Sequence, residues 1–177
     1  MNIEEFFLKS VGEWNSMRSG HTLAFQEFED IRSKLKIVPS KRNDSRVDKF
    51  LKDNSITTNA VNKAFLINWE AKSEWGEENQ KENSSGESIL VPIEISKKKG
   101  KIIRSIGYTE AVKVVSSYKI LDDGTLIIYS DYTHISTEER IWFVSNNLRI
   151  RFSVTRAIDS LAILQTSYAS EIRSIKK

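Results

Sequence analysis

Cysteine is absent from this chain of 177 residues. That excludes disulfides, a thiolate nucleophile of the chain's own and any cysteine-ligated metal site. Histidine is nearly absent: His21 and His134 are the two, too few to suggest a structural zinc site. No metal is therefore expected. No apolar run approaches membrane-spanning length. The opening residues Met1-Asn2-Ile3-Glu4-Glu5 are acidic and do not read as a signal peptide. The expectation is a soluble cytoplasmic protein. Gly-rich phosphate loops, nucleophile elbows and metalloprotease helices are all missing. So is a dense basic stripe. The net charge of +3 and the pI near 9 favour acidic ligands or partners without signalling nucleic acid. The one basic run, Lys97-Lys98-Lys99 with Lys101, reads as a solvated turn.

What is present fits one globular domain, residues 1–177. Hydrophobic residues make up 39% and charged residues 29%, enough to build a core or a lined cavity. Residues 3 to 16 carry Ile3, Phe6, Phe7, Val11 and Trp14 at helical spacing, with Asn2 and Glu5 placed as a capping box. The bulk of that face calls for a surface to cover, either a sheet or a barrel mouth. A first strand is expected over His21–Phe28 and a second around Leu35 and Ile37, ended by Pro39. A helix over Ser45–Asn54 and a helical turn at Thr57–Lys63 follow.

From Phe65 the pattern becomes strand after strand. Phe65, Ile67, Trp69, Ala71 and Trp75 alternate with polar residues. Residues 76–87 read as a polar loop. Strands are then expected over Ile89–Ile95, Ile102–Thr109, Val112–Ile120 and Thr125–His134, the last two joined by the turn Asp122-Asp123-Gly124. A hairpin centred on Asn146-Asn147 follows, and Ser160–Ser170 closes the series. About ten strands at this spacing, with helices gathered early, predict an all-β fold: a closed antiparallel up-and-down barrel holding one ligand.

The hairpin from Glu138 to Ser153 is the centre of the chain. Arg149, Arg151 and Ser153 share one face of its second strand, and Leu148, Ile150 and Phe152 share the other. Two guanidiniums on neighbouring positions of one face suit an acidic group. They also suit plain exposure to solvent. Glu139 joins the arginines on one face only if the turn holds an odd number of residues, such as Ser145-Asn146-Asn147. A two-residue turn would put Glu139 on the opposite side.

These segments resemble the S-type phycobiliprotein lyases, the CpcS/CpeS family, and within it the phycoerythrin-directed CpeS branch. The likeness rests on Phe6-Phe7 with Gly12-Glu13-Trp14; Ser16-Met17-Arg18-Ser19 with His21; Trp69 and Trp75; Leu90-Val91-Pro92; Gly107-Tyr108; Glu138-Glu139-Arg140-Ile141-Trp142-Phe143; Asn147-Leu148-Arg149-Ile150-Arg151; and Ser170-Glu171-Ile172-Arg173. It runs from end to end in the same order. The family usually has Ser-Gln-Arg where this chain has Ser16-Met17-Arg18. The resemblance implies a lipocalin-like, fatty-acid-binding-protein-like barrel of ten strands with helices at one end. It implies a lyase that binds a phycobilin and delivers it as a thioether to a cysteine of a phycobiliprotein subunit.

On that reading the substrate is a linear tetrapyrrole, phycoerythrobilin, with no permanently bound cofactor. The acceptor is an apo-phycobiliprotein, phycoerythrin beta. Glu139 and Arg149 take the catalytic positions. Arg18, His21, Trp69, Trp75, Arg151 and Ser153 take the bilin-binding ones. Arginines would hold propionates, tryptophans would flank the conjugated rings, and Glu139 would accept from pyrrole N–H groups. With no cysteine here, the nucleophile belongs to the acceptor. Two alternatives stay open: a non-catalytic lipocalin-like carrier of bilin, haem or fatty acid, and a structural partner in phycobilisome assembly. The sequence leaves the oligomeric state open, a homodimer included.

Overall fold

The computed structural model describes residues 1–40, 44–56, 63–73, 83–106 and 113–175. Helix α1 (Ile3–Ser10) opens the chain, followed by strands β1 (Gly12–Thr22) and β2 (Glu27–Pro39). Helix α2 (Ser45–Asp53) precedes β3 (Phe65–Ser73), β4 (Asn83–Ser96), β5 (Lys99–Arg104) and β6 (Val114–Ile120). Strands β7 (Leu126–Asp131), β8 (Ile135–Ser145), β9 (Leu148–Ala157) and β10 (Ile163–Arg173) complete it. Each strand pairs antiparallel with its sequence neighbours, and β1 pairs with β10 to close the barrel. Closure leaves no open sheet edge. Neither helix is long and apolar enough to cross a membrane.

Helix α1 plugs one end. Asn2 and Glu5 form the capping box expected from the sequence. Phe6 and Phe7 drop into a core with Trp14, Phe65, Ile102, Leu126 and Ile141. The helix stops earlier than the apolar spacing predicts. Gly12 has φ +136°, a conformation that side chains rarely adopt, and it turns the chain from helix into strand. Trp14 therefore enters the core as a strand residue, and β1 runs over Gly12–Thr22 instead of starting at His21. The last turn of α1 is satisfied both by the nearby Trp14 and from the far end of the chain. Trp14 Nε1 donates to the Ser10 carbonyl (2.8 Å), and Arg173 donates to the carbonyls of Lys9 (2.6 Å) and Val11. Helix α2 lies instead on the outer wall: Val47 and Leu51 pack on Leu66, Val91 and Ile103, outward positions of β3, β4 and β5.

Other boundaries also move. Residues 83–87, expected in a polar loop, pair in register with Asn68–Lys72 of β3. Backbone pairing to a fixed neighbour outweighs their weak strand propensity. β5 starts at Lys99 and β10 runs to Arg173. Of the turn expected over Thr57–Lys63, residues 57–62 lie outside the described residues, as do residues 76–82 of the expected loop and residues 74–75, 107–109 and 112 of the expected strands. The Asp122-Asp123-Gly124 turn forms as expected, with Gly124 at φ +86° and Thr125 N bonded to Asp123 Oδ1 (2.8 Å).

Candidate bilin site

The β8–β9 hairpin has a two-residue turn, Asn146-Asn147, yet Glu139 and the arginines share the interior. The ladder explains this. Phe143 pairs with Arg149, while Ser145 pairs with Leu148. Val144 is left over as a β-bulge, 59% exposed on the outside. One extra residue on one strand restores the parity that the even turn would break. Glu139 then pairs with Ser153 and Ile141 with Arg151, all inward. A shared face for Glu139 and the arginines requires an odd count between the strands. The structure places the odd residue in β8, not in the turn.

Inside the barrel these side chains form an alternating chain of charge. Arg104 Nη2 lies 3.1 Å from Glu139 Oε1, and Arg151 Nη1 lies 3.1 Å from Glu139 Oε2. Arg151 Nε lies 3.4 Å from Glu171 Oε1, and Arg149 Nε pairs with Glu171 Oε2. Glu139 is wholly inaccessible, Glu171 is 1% exposed and Arg149 2%. Burial pushes the Glu139 carboxyl up, but Arg104 and Arg151 more than offset it and hold it below its ordinary value. Glu171 is likewise raised by burial, and Arg151 and Arg149 bring it below normal. Burial draws the Arg149 guanidinium down, with Glu171 opposing; as an arginine it stays a cation.

Arg149 rests against the Trp14 ring, 4.8 Å from its centroid. Its Nη2 is buried without a hydrogen-bond partner among the described residues. Beside it lies a cavity of about 370 Å³. Its polar lining includes Arg18, Arg104, Arg149, Arg151 and Glu171. Ile31, Leu35, Ile67 and Trp69 supply apolar wall. Four arginines thus face the space, with Glu171 among them and Glu139 behind them. A second depression of about 330 Å³, lined by Glu13, Lys34, Lys36 and Glu70, involves charged side chains of the outer wall and no buried charge pair.

The sequence-derived residues separate clearly. Arg18, Trp69, Arg149 and Arg151 line the cavity. The Trp69 indole lies against Gly86, its cross-strand partner on β4. Glu139 is inside but screened from the cavity by its two arginines. Ser153 is buried and bonded to Ser167 (2.7 Å) without lining the cavity. His21 is the correction: it alternates with the inward Gly20, lies exposed on the outer face and packs at a tilt on Phe28, with ring centroids 5.0 Å apart. It does not reach the cavity. Trp75 lies outside the described residues. Sequence reasoning missed Arg104 and Glu171. Glu171 sat in a quoted motif without a role, although it alternates inward with Ala169. Arg104 carried no motif at all.

Comparison with known proteins gives this geometry a family. The profile of the CpeS-like proteins matches residues 2–174. The chain is 40% identical to "Chromophore lyase CpcS/CpeS 3" of Trichodesmium erythraeum, over 98% of this chain and all of that one. It is 34% identical to "Putative phycoerythrobilin lyase CpeS" of Microchaete diplosiphon, over 84% of this chain and 66% of that one. Among solved structures it is similar to the S-type phycobiliprotein lyase CpeS of Guillardia theta, with a TM-score of 0.86 and 30% identity over 100% of this chain and 95% of that one. A barrel of this order, matched from end to end in sequence and in structure, places the chain in the CpeS-like family of CpcS/CpeS chromophore lyases.

Proposed function

We propose that this protein binds a linear tetrapyrrole, phycoerythrobilin, non-covalently inside the barrel and transfers it to a cysteine of a phycobiliprotein subunit, phycoerythrin beta. One observation carries the reading. The cavity is lined by four arginines beside an apolar wall, and a phycobilin brings two propionates on a flat apolar π-system. Arg149 Nη2, buried without a partner among the described residues, is a donor awaiting an acceptor.

In the transfer the acceptor's sulfur adds to the ethylidene carbon of ring A. A C–S bond forms, the exocyclic double bond is lost, and the thiol proton ends on the tetrapyrrole. Glu139 is held ionised, so its role is that of a counter-ion and proton acceptor, not the resident acid. Its two oxygens are unequal. Arg104, 11% exposed at the side chain, is tied to Ser130, whereas Arg151 is 24% exposed on the cavity wall. A propionate that engages Arg151 releases Glu139 Oε2 toward pyrrole N–H groups or a protonated bilin. Trp69 and the isoleucines orient the rings and exclude water.

The test is a titration of phycoerythrobilin by visible absorbance, followed by addition of apo-phycoerythrin beta. A red-shifted bound band, then pigment that stays on the denatured acceptor, supports the reading. Binding without covalent transfer reduces the protein to a carrier. No spectral change removes bilin from the site.

A further inference from the structure

Glu139 has a second set of neighbours, away from the β8–β9 hairpin. Four adjacent strands each contribute one inward side chain: Arg104 from β5, Ser116 from β6, Ser130 from β7 and Glu139 from β8. Ser116 and Ser130 are each 1% exposed, and their hydroxyls are 2.7 Å apart. Arg104 Nη2 lies 3.0 Å from Ser130 Oγ, 3.4 Å from Ser116 Oγ and 3.1 Å from Glu139 Oε1. Arg104 Nε is buried without a hydrogen-bond partner among the described residues.

From this geometry we infer that Arg104 is a positioning residue: with Ser116 and Ser130 it pins Glu139 Oε1, so that Oε2 alone exchanges between Arg151 and the ligand. The inference rests on the bilin reading. Its physical case is one of cost. Arg151 by itself balances the Glu139 charge, and burying a second guanidinium with two hydroxyls is unfavourable unless each is satisfied. The serines satisfy the shared nitrogen and fix its direction. The charged groups that face Glu139 are Arg104 from β5 and Arg151 from β9, with Glu171 of β10 beyond Arg151. Removing Arg104 leaves a carboxylate that can rotate and that has lost one of its two cations.

Four variants test this: Arg104→Gln, Arg104→Lys, Ser130→Ala and Glu139→Gln. In ligand-free protein, the ¹³C shift of the Glu139 carboxyl is followed against pH. Arg104→Gln should raise its titration midpoint by about one to three units, the usual effect of one close opposite charge. Arg104→Lys should restore most of that shift, and Ser130→Ala should move it less, in the same upward direction. In loaded protein at saturating bilin, Arg104→Gln should slow single-turnover transfer by about tenfold or more, since the orientation of Glu139 is lost whatever affinity Arg104 adds as part of the cavity lining. In the Glu139→Gln background, Arg104→Gln should cost nothing further. A folded Arg104→Gln with an unmoved carboxyl titration overturns the inference. So does an equal loss of transfer with and without Glu139. Wild-type protein that binds no bilin overturns the functional reading and the ligand exchange with it; the carboxyl titration then still decides whether Arg104 pins Glu139.

Discussion

Trp69 can cover its part of the cavity wall because its cross-strand partner is Gly86. A β-carbon at position 86 would overlap the indole ring. Gly86 is not at positive φ, so its role is space and not backbone freedom. Gly86→Ala should displace the indole and destabilise the fold by about 1–3 kcal/mol, the range for overpacking. Trp69→Ala should remove most of that penalty. Denaturant unfolding of the four proteins in this cycle is the measurement. An undiminished penalty in the Trp69→Ala background would assign the cost to the backbone.

Arg149 and Glu171 form a pair inside the barrel, so removing one member costs more than its contact. Arg149→Met leaves Glu171 buried with Arg151 alone. Stability should fall by about 3–5 kcal/mol, and bilin binding should weaken at the same time. Arg149→Met with Glu171→Gln should recover much of the stability without recovering the binding. Urea midpoints and absorbance titrations separate the two effects. Recovery of both would place the propionate contact elsewhere.

The buried carboxylates also set an acid limit. Glu139 and Glu171 both titrate below their ordinary value of 4.5 in the folded protein. The stability they confer is therefore present above that value and is lost as pH falls through the lower folded values. Wild-type stability should drop steeply below about pH 4. The slope should be shallower in Glu139→Gln, which has one such carboxylate fewer. Thermal unfolding between pH 3 and 7 reads this out, and identical slopes would contradict it.

Arg173 ties β10 to α1 and to the hairpin turn. Its guanidinium donates to Lys9 O and Asn146 O and rests 4.2 Å from the Trp14 ring centroid. Arg173→Ala should loosen the plug before the barrel. Hydrogen exchange should accelerate at residues 3–10 by more than at β6 and β7. Lysine should not rescue it, because one ammonium cannot reproduce the fork. Uniform acceleration along the chain would count against a local clip.

Alternation exposed the strand series, the early helices and the capping box, because each depends on local spacing. It also showed that Arg149 and Arg151 share a face. Three things were hidden for stated reasons. The end of α1 turned on the backbone angle of Gly12, while Val11 and Trp14 fit helical spacing equally well. The bulge at Val144 is set by pairing, not by the identity of a valine. Arg104 and Glu171 lie 35 and 32 residues from Glu139 in the chain, and only the pairing and curling of the strands between them brings them to it. His21 misled because a motif neighbour of Arg18 at odd spacing faces the opposite side.

The seam between β1 and β10 has a temporal consequence. The first and last strands both line the cavity, Ser16 and Arg18 from β1 with Ala169 and Glu171 from β10, and those two strands are the most distant in synthesis. A ribosome-bound chain that ends before β10 offers nine strands, with Arg149 lacking its Glu171 partner and an unclosed edge at β1. Closure of the barrel and completion of its buried charge pairs therefore come together, with the last strand to be made.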